Sequence, residues 1–337
     1  MLSTVIHARG LARTFRKKKQ AVVAVAGVDL DVAAGEVVGF LGPNGAGKTT
    51  TLRMLTTLLE PTAGTATVAG CDLLTDPVGV RRRIGYVSQS GSTQPEARAG
   101  EEVVDHARLY GMSTAAATDR GRRLFAELDL EGLWERKPKA MSGGQRRRLD
   151  IVMGLVHEPG LVFLDEPTTG LDPQARANLW QHIRGLRDER GTTVFLTTHY
   201  LDEADALCDR ILVIDHGSIV AEGTPDQLKS GVGGDVLTVT AARADQAAEV
   251  ARLIGALPGA EAPQVQDGRV VGRVPNGGAA LIRLVRDLDT TGIEVAGIES
   301  RRPSLDDVFL QLTGRSLREQ GAEPAPAPEP EPEGALR

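Results

Sequence analysis

Gly42-Pro43-Asn44-Gly45-Ala46-Gly47-Lys48-Thr49-Thr50 follows the apolar run Val37 to Leu41 and leads into Thr51-Leu52-Arg53-Met54-Leu55. The run before it reads as a buried strand and the segment after it as the start of a helix. Between a strand and a helix, glycines let backbone N–H groups converge on phosphate oxygens, and the helix dipole behind them favours negative charge. Gly42, Gly47, Lys48 and Thr49 fit the spacing G-x-x-x-x-G-K-[ST] of a phosphate-binding loop. In that role Lys48 reaches the β- and γ-phosphates and the Thr49 hydroxyl ligates Mg²⁺. The alternative is a glycine-rich turn with a solvated lysine, which the flanking strand and helix disfavour.

Three further strand ends carry polar groups. Leu161-Val162-Phe163-Leu164 reads as a strand buried on both faces, as parallel sheets require, and it ends in Asp165-Glu166-Pro167. Ligands of open α/β sheets collect at the C-terminal ends of strands. Side chains alternate there, so one carboxylate can hold Mg²⁺ and its waters while the other faces an attacking water. Val194-Phe195-Leu196-Thr197-Thr198 repeats the design and ends at His199, and Ile84 to Ser88 ends at the amide Gln89. Phe15 precedes the basic run Arg16-Lys17-Lys18-Lys19. Its ring can stack on a nucleotide base or serve as an ordinary core-edge phenylalanine. The basic run reads as a solvated turn between strands 3–9 and 21–32, with a phosphate or membrane contact as the alternative.

Along the chain the pattern predicts a helix from Thr51 to Leu59, ended by Pro61 and Gly64, and a strand over 65–69. Residues 90–100 form an irregular loop, and helices over 101–110, 114–129 and after Ser142 make a helical insert in an α/β core. A helix over 200–208 and strands 211–215 and 218–222 follow. Residues 235–300 read as β-α-β-β-α-β, a ferredoxin-like order with no phosphate loop or acidic pair, followed by a helix over 304–312. The tail from 319, rich in Pro, Ala and Glu, cannot bury enough apolar area to order itself.

The 337 residues suggest two domains, and 41% apolar content supplies a sizeable core. A net charge of −6 argues against nucleic acid as a partner. No apolar run approaches the roughly 18–20 residues that span a bilayer, and the N-terminus has no apolar signal core, so a soluble cytosolic protein is expected. Cys71 and Cys208 are too few for a disulfide framework or a zinc site and read as small buried residues.

Between the phosphate loop and the acidic pair stands Met141-Ser142-Gly143-Gly144-Gln145. With this stretch residues 3–230 resemble the ATP-binding-cassette (ABC) ATPases, whose signature is L-S-G-G-Q; Met141 replaces the leucine, a volume-conserving change. In the resemblance Phe15 matches the aromatic A-loop, Gln89 the Q-loop, Asp165–Glu166 the Walker B end, Asp172 the D-loop and His199 the switch histidine. The implied fold is a P-loop NTPase ABC cassette: a RecA-like core with an antiparallel β-subdomain and a helical subdomain at about 90–157. A small C-terminal α+β ferredoxin-like domain (235–314) and a disordered tail (319–337) complete it.

The resemblance also implies a site. Gly42 through Thr50 would hold ATP, with Phe15 on its base; Thr49, Gln89 and, through water, Asp165 would hold Mg²⁺; Glu166, His199 and Lys48 would be catalytic. Ser142, Gly143, Gly144 and Gln145 open a second helix and would act in trans, closing over nucleotide on another cassette in a head-to-tail pair. A single cassette without a membrane span then implies a homodimer or second cassette, and a separate integral-membrane permease at the cytoplasmic face of a bacterial membrane. Gly39 to Leu55, Thr197 to Asp205 and Leu305-Asp306-Asp307-Val308-Phe309-Leu310 resemble, more narrowly, the ATP-binding subunits of daunorubicin/doxorubicin-resistance exporters. Exporters of lipid or polysaccharide share many of these words, and a regulatory cassette without transport is the remaining alternative. Cassettes that act on the ribosome or on DNA carry a second cassette with a basic linker, or long coiled-coil insertions, and this chain has neither.

Overall fold

Alternating, β-branched-rich sequence at the N-terminus folds into a long hairpin, β1 (Thr4–Lys17) and β2 (Gln20–Ala33). The computed structural model describes residues 3–17 and 20–314, so Lys18, Lys19 and the tail 319–337 lie outside the described residues. The fully buried strand β3 (Val37–Leu41) leads through the glycine loop into α1 (Lys48–Leu55). Then come β4 (Ala63–Val68), β5 (Cys71–Asp72), α2 (Pro77–Arg83) and β6 (Ile84–Val87). The helical insert is α3 (Ala99–Leu109), α4 (Thr114–Glu127) and α5 (Gly143–Leu155). The core resumes with β7 (Leu161–Asp165), α6 (Pro173–Arg190), β8 (Thr193–Thr198), α7 (Leu201–Leu207), β9 (Arg210–Asp215), β10 (Ser218–Gly223) and α8 (Pro225–Gly231).

These strands make two sheets. The antiparallel one runs β2-β1-β4-β5; the central one runs β10-β9-β3-β8-β7-β6 and is parallel except for β10. Every residue of β3, β7 and β8 is buried, as a sheet covered on both faces requires. Parallel pairing sets the C-terminal ends of β3, β6, β7 and β8 along one rim, where Gly42, Gln89, Glu166 and His199 follow.

The remaining elements are β11 (Asp235–Ala241), α9 (Ala247–Gly255), β12 (Gln264–Gln266), β13 (Arg269–Val274), α10 (Gly277–Thr291), β14 (Val295–Arg301) and α11 (Leu305–Thr313). Their sheet order, β12-β13-β11-β14, is antiparallel throughout and gives the ferredoxin-like arrangement, with its own core of Leu237, Val239, Val250, Ile254, Val270 and Leu284. Helix α11 departs from it: Leu305, Val308 and Phe309 join the cassette core with Leu207, Cys208 and Leu228. Asp307 anchors the helix, accepting from Arg301 at 2.6 Å and from the Ser304 hydroxyl at 2.7 Å. Burial opposes its ionisation, but Arg301 and Ser304 outweigh that and hold the carboxyl far below the usual range.

Three local expectations change. Helix α1 stops at Leu55 rather than Leu59, because Thr57 takes φ 62° and the N–H groups of Leu58 and Leu59 both turn back to the Arg53 carbonyl. The N-terminal strands reach Lys17 and start at Gln20, so the hairpin extends into the basic run. Helices α2, α6 and α8, to which the sequence reading assigns nothing, each begin with a capping Asp76, Asp172 or Thr224 followed by proline.

Where α5 ends, His157 stacks on Tyr110 with centroids 3.7 Å apart and contacts the Ile84 carbonyl at 2.9 Å. Burial lowers its pKa to about 4, so the ring stays neutral in the fold while an unfolded histidine titrates near 6.5. Stability is therefore complete above about pH 6.5 and is lost as pH falls toward 4, because the unfolded chain alone takes up the proton. His157→Phe should flatten that acid-side loss by about 1–2 kcal/mol, after discounting for part exposure. Melting curves from pH 7 to 4.5 check this; an unchanged pH slope contradicts it.

Candidate nucleotide site

Gly42 follows β3 so close to β9 that a Cβ there would overlap the Ile214 carbonyl oxygen. Gly47, at φ 106°, would bring a Cβ to 2.6 Å from the Ala24 carbonyl oxygen. These two positions need glycine, and the loop between them is tied down by Gly217 N–H donating to the Ala46 carbonyl at 2.9 Å. Gly47 is the N-cap of α1 and has no side chain to cap it, so the first-turn N–H groups receive no side-chain acceptor from that position. An anion fits that end of the helix.

Lys48 folds back over the loop. Its Nζ donates to the carbonyls of Gly42 at 2.8 Å and Pro43 at 3.0 Å and stands 3.4 Å from Glu166 Oε1. Burial lowers its pKa, against the attraction of Glu166 and Asp165. Thr49 Oγ1 donates to Asp165 Oδ1 at 3.2 Å, and the same oxygen accepts from Thr197 at 2.6 Å. Burial nevertheless raises the Asp165 pKa. Thr50 follows on the same helix.

The acidic pair divides because the strand ends at Asp165 and Glu166 turns left-handed at φ 44°, not through strand alternation. Asp165 faces Thr49, whereas Glu166 faces Lys48, Gln89, Thr169 and His199. Gln89 Nε2 donates to Glu166 Oε2 at 2.8 Å, and His199 Nδ1 lies 3.3 Å from it. Burial works against ionisation of Glu166, but His199 and Lys48 prevail and its pKa is lowered. The structure thus joins Lys48, Thr49, Gln89, Asp165, Glu166 and His199, with Gln89 bonded to Glu166 rather than to the Thr49–Asp165 pair. Phe15, half-buried on β1 opposite Val22, carries the Arg13 guanidinium 4.9 Å from its ring centre.

Ser142 to Gln145 form a second group. Ser142 caps α5, accepting from Gln145 N–H at 3.2 Å, and the Gln145 side chain accepts from Ser142 N–H at 3.0 Å. Gly144 faces Ala175, where a Cβ would approach to 3.2 Å, and Gly143 faces Leu171. Asp172 caps α6 by accepting from Ala175 N–H at 2.9 Å.

Residues 25–169 match the family model described as ABC transporter, and residues 223–313 match that of the ATP-binding protein DrrA1-3-like C-terminal domain. The daunorubicin/doxorubicin resistance ATP-binding protein DrrA of Streptomyces peucetius is 44% identical over 320 residues, 95% of this chain and 96% of that protein. The chain belongs to the ABC transporter ATP-binding proteins. Within this family it is also 36% identical over 330 residues to the Nod factor export ATP-binding protein I of a Rhizobium species, covering 95% of this chain and all of that one. Among solved structures, an ATP-binding cassette determined as a dimer in a post-hydrolysis state with ADP and Pi superposes with a TM-score of 0.61. It is 27% identical and covers 65% of this chain and 98% of its own. The cassette described here therefore binds ATP, and among the described residues no helix is long and apolar enough to cross a membrane.

One further candidate is not legible in the sequence. Arg147, buried one turn into α5, donates to the carbonyls of Ser88, Asp165 and Pro167. Three consecutive arginines hide it, since only packing separates Arg147 from the exposed Arg146.

Proposed function

We propose that this chain is the ATP-hydrolysing subunit of an exporter that moves a drug or hydrophobic natural product through a separate membrane permease. The observation that carries the reading is the match to a daunorubicin/doxorubicin resistance ATP-binding protein over 95% of this chain, C-terminal region included. Identity to the Nod factor exporter subunit is lower, 36% against 44%, which favours a drug over that alternative.

In this reading the loop from Gly42 to Thr50 and Lys48 hold the phosphates, and Phe15 takes the base. Thr49, Gln89 and Asp165 offer oxygen ligands of the kind Mg²⁺ prefers, and the ion when bound neutralises phosphate charge. Such an ion is held by one or two carboxylates together with substrate phosphates and water. Glu166, kept ionised by its neighbours, orients the attacking water and takes its proton. His199 contacts the γ-phosphate from the next strand end. Phosphoryl transfer needs this positioning and charge neutralisation more than covalent help. Ser142 to Gln145 and Asp172 close over nucleotide held by a second copy at the membrane's cytoplasmic face.

Expression with a permease in a drug-sensitive bacterium tests the reading. The wild-type pair should lower daunorubicin accumulation and the pair carrying E166Q should not; equal accumulation with and without the wild-type pair contradicts export.

A further inference from the structure

Glu166 has a backbone uncommon for a residue other than glycine: φ is 44°, in the left-handed region that costs about 1–3 kcal/mol unless the surroundings hold it. Its own N–H is held from β8, donating to the Thr197 carbonyl at 3.2 Å and the Thr197 hydroxyl at 3.0 Å. The two neighbouring carbonyls are held from elsewhere. Arg147 Nη2 donates to the Asp165 carbonyl at 2.9 Å and Nε to the Pro167 carbonyl at 2.8 Å. A third bond, from Nη1 to the Ser88 carbonyl at 2.5 Å, fixes the residue before Gln89. One planar guanidinium thereby holds both flanks of Glu166 and the root of Gln89, the two side chains that bond to each other at 2.8 Å.

Arg147 is 7% exposed, and its nearest paired carboxylate, Asp150, is 4.0 Å away. Burying a guanidinium mainly against backbone carbonyls is costly unless its fork geometry is used, and here it is used on three separate segments. Asp150 adds a second tie on the same helix, accepting from Ser92 N–H at 2.9 Å, so α5 grips both ends of the loop 88–92. Five residues before Arg147 stands Ser142, the exposed start of the signature helix.

We infer that Arg147 is a positioning residue that holds the backbone of Glu166 and Gln89, linking the signature helix to the hydrolytic site of its own chain. The inference rests on the dimeric reading above. In such a pair the signature of one copy meets the nucleotide on the other, so displacement of α5 by that nucleotide reaches Glu166 through one side chain whose guanidinium is held by three carbonyls. Occupancy of each site then tunes hydrolysis at its neighbour.

The test is the ATP dependence of phosphate release by the full-length chain as wild type, R147K and R147Q, with ATP affinity measured by calorimetry. Lysine keeps the charge and loses the fork; glutamine keeps two donors and loses the charge. Both variants should lose about 10–100-fold in kcat. Their KM and Kd for ATP should stay within about twofold, and a wild-type Hill coefficient above 1 should fall to 1. Wild-type kcat and cooperativity in R147K overturn the proposal. Joint loss of ATP binding and of a cooperative melt in both variants also overturns it, since Arg147 is then only a structural support. A wild-type chain without ATPase activity, or full activity in E166Q, overturns the reading of the site and this inference with it.

Discussion

Glu166→Gln should lower ATP turnover by about 10²–10⁴-fold while leaving ATP binding intact. Glutamine has the same shape and keeps an oxygen to accept from Gln89 and Thr169, which now stand 2.8 and 3.2 Å from the carboxylate. It loses the charge that Lys48 and His199 maintain, and with it the capacity to take a proton from water. Removing a negative charge beside the γ-phosphate does nothing to weaken binding, so the complex should accumulate before hydrolysis. Phosphate release and calorimetry on the same sample separate the two effects. Hydrolysis at the wild-type rate would assign the proton-accepting role to another group.

Lys48→Ala should act on binding instead. The ammonium is 5% exposed and stands between the loop carbonyls of Gly42 and Pro43 and the Glu166 carboxylate. Truncation leaves Asp165 and Glu166 buried with that cation gone, facing the place where phosphates bind. The loss of one partner from a buried charge pair costs about 3–5 kcal/mol, part of which appears as structural relaxation. A rise in the ATP dissociation constant on the order of 100-fold, about 2.7 kcal/mol, is expected. Calorimetry returning the wild-type constant would contradict the loop assignment.

Much of the candidate site is readable before any coordinates, because local order determines it. Glycines between strand and helix, a buried strand ending in two carboxylates and another ending in histidine each put a functional group on one rim of a parallel sheet. The structure then adds what order alone does not carry. Gln89 bonds to Glu166, a partnership between segments 77 residues apart. Arg147 is invisible in a run of three arginines, since its importance lies in the carbonyls that surround it. The early end of α1 shows the limit of propensity: Thr56 to Leu59 look helical, but Thr57 turns left-handed and the helix closes at Leu55.

The C-terminal region follows the same division. Its strand and helix order is readable and its ferredoxin-like sheet follows from it, whereas the docking of Leu305, Val308 and Phe309 against Leu207 and Cys208 is a tertiary fact. That contact sets the last described helix against α7, which begins two residues after His199.

Lys48 and its loop should form half of a site that a second copy completes with Ser142 to Gln145. Sedimentation of E166Q with and without ATP decides this. The prediction is a 35.7 kDa species without nucleotide and a species of twice that mass at saturating ATP. A particle that stays at the single-chain mass with ATP bound would contradict it.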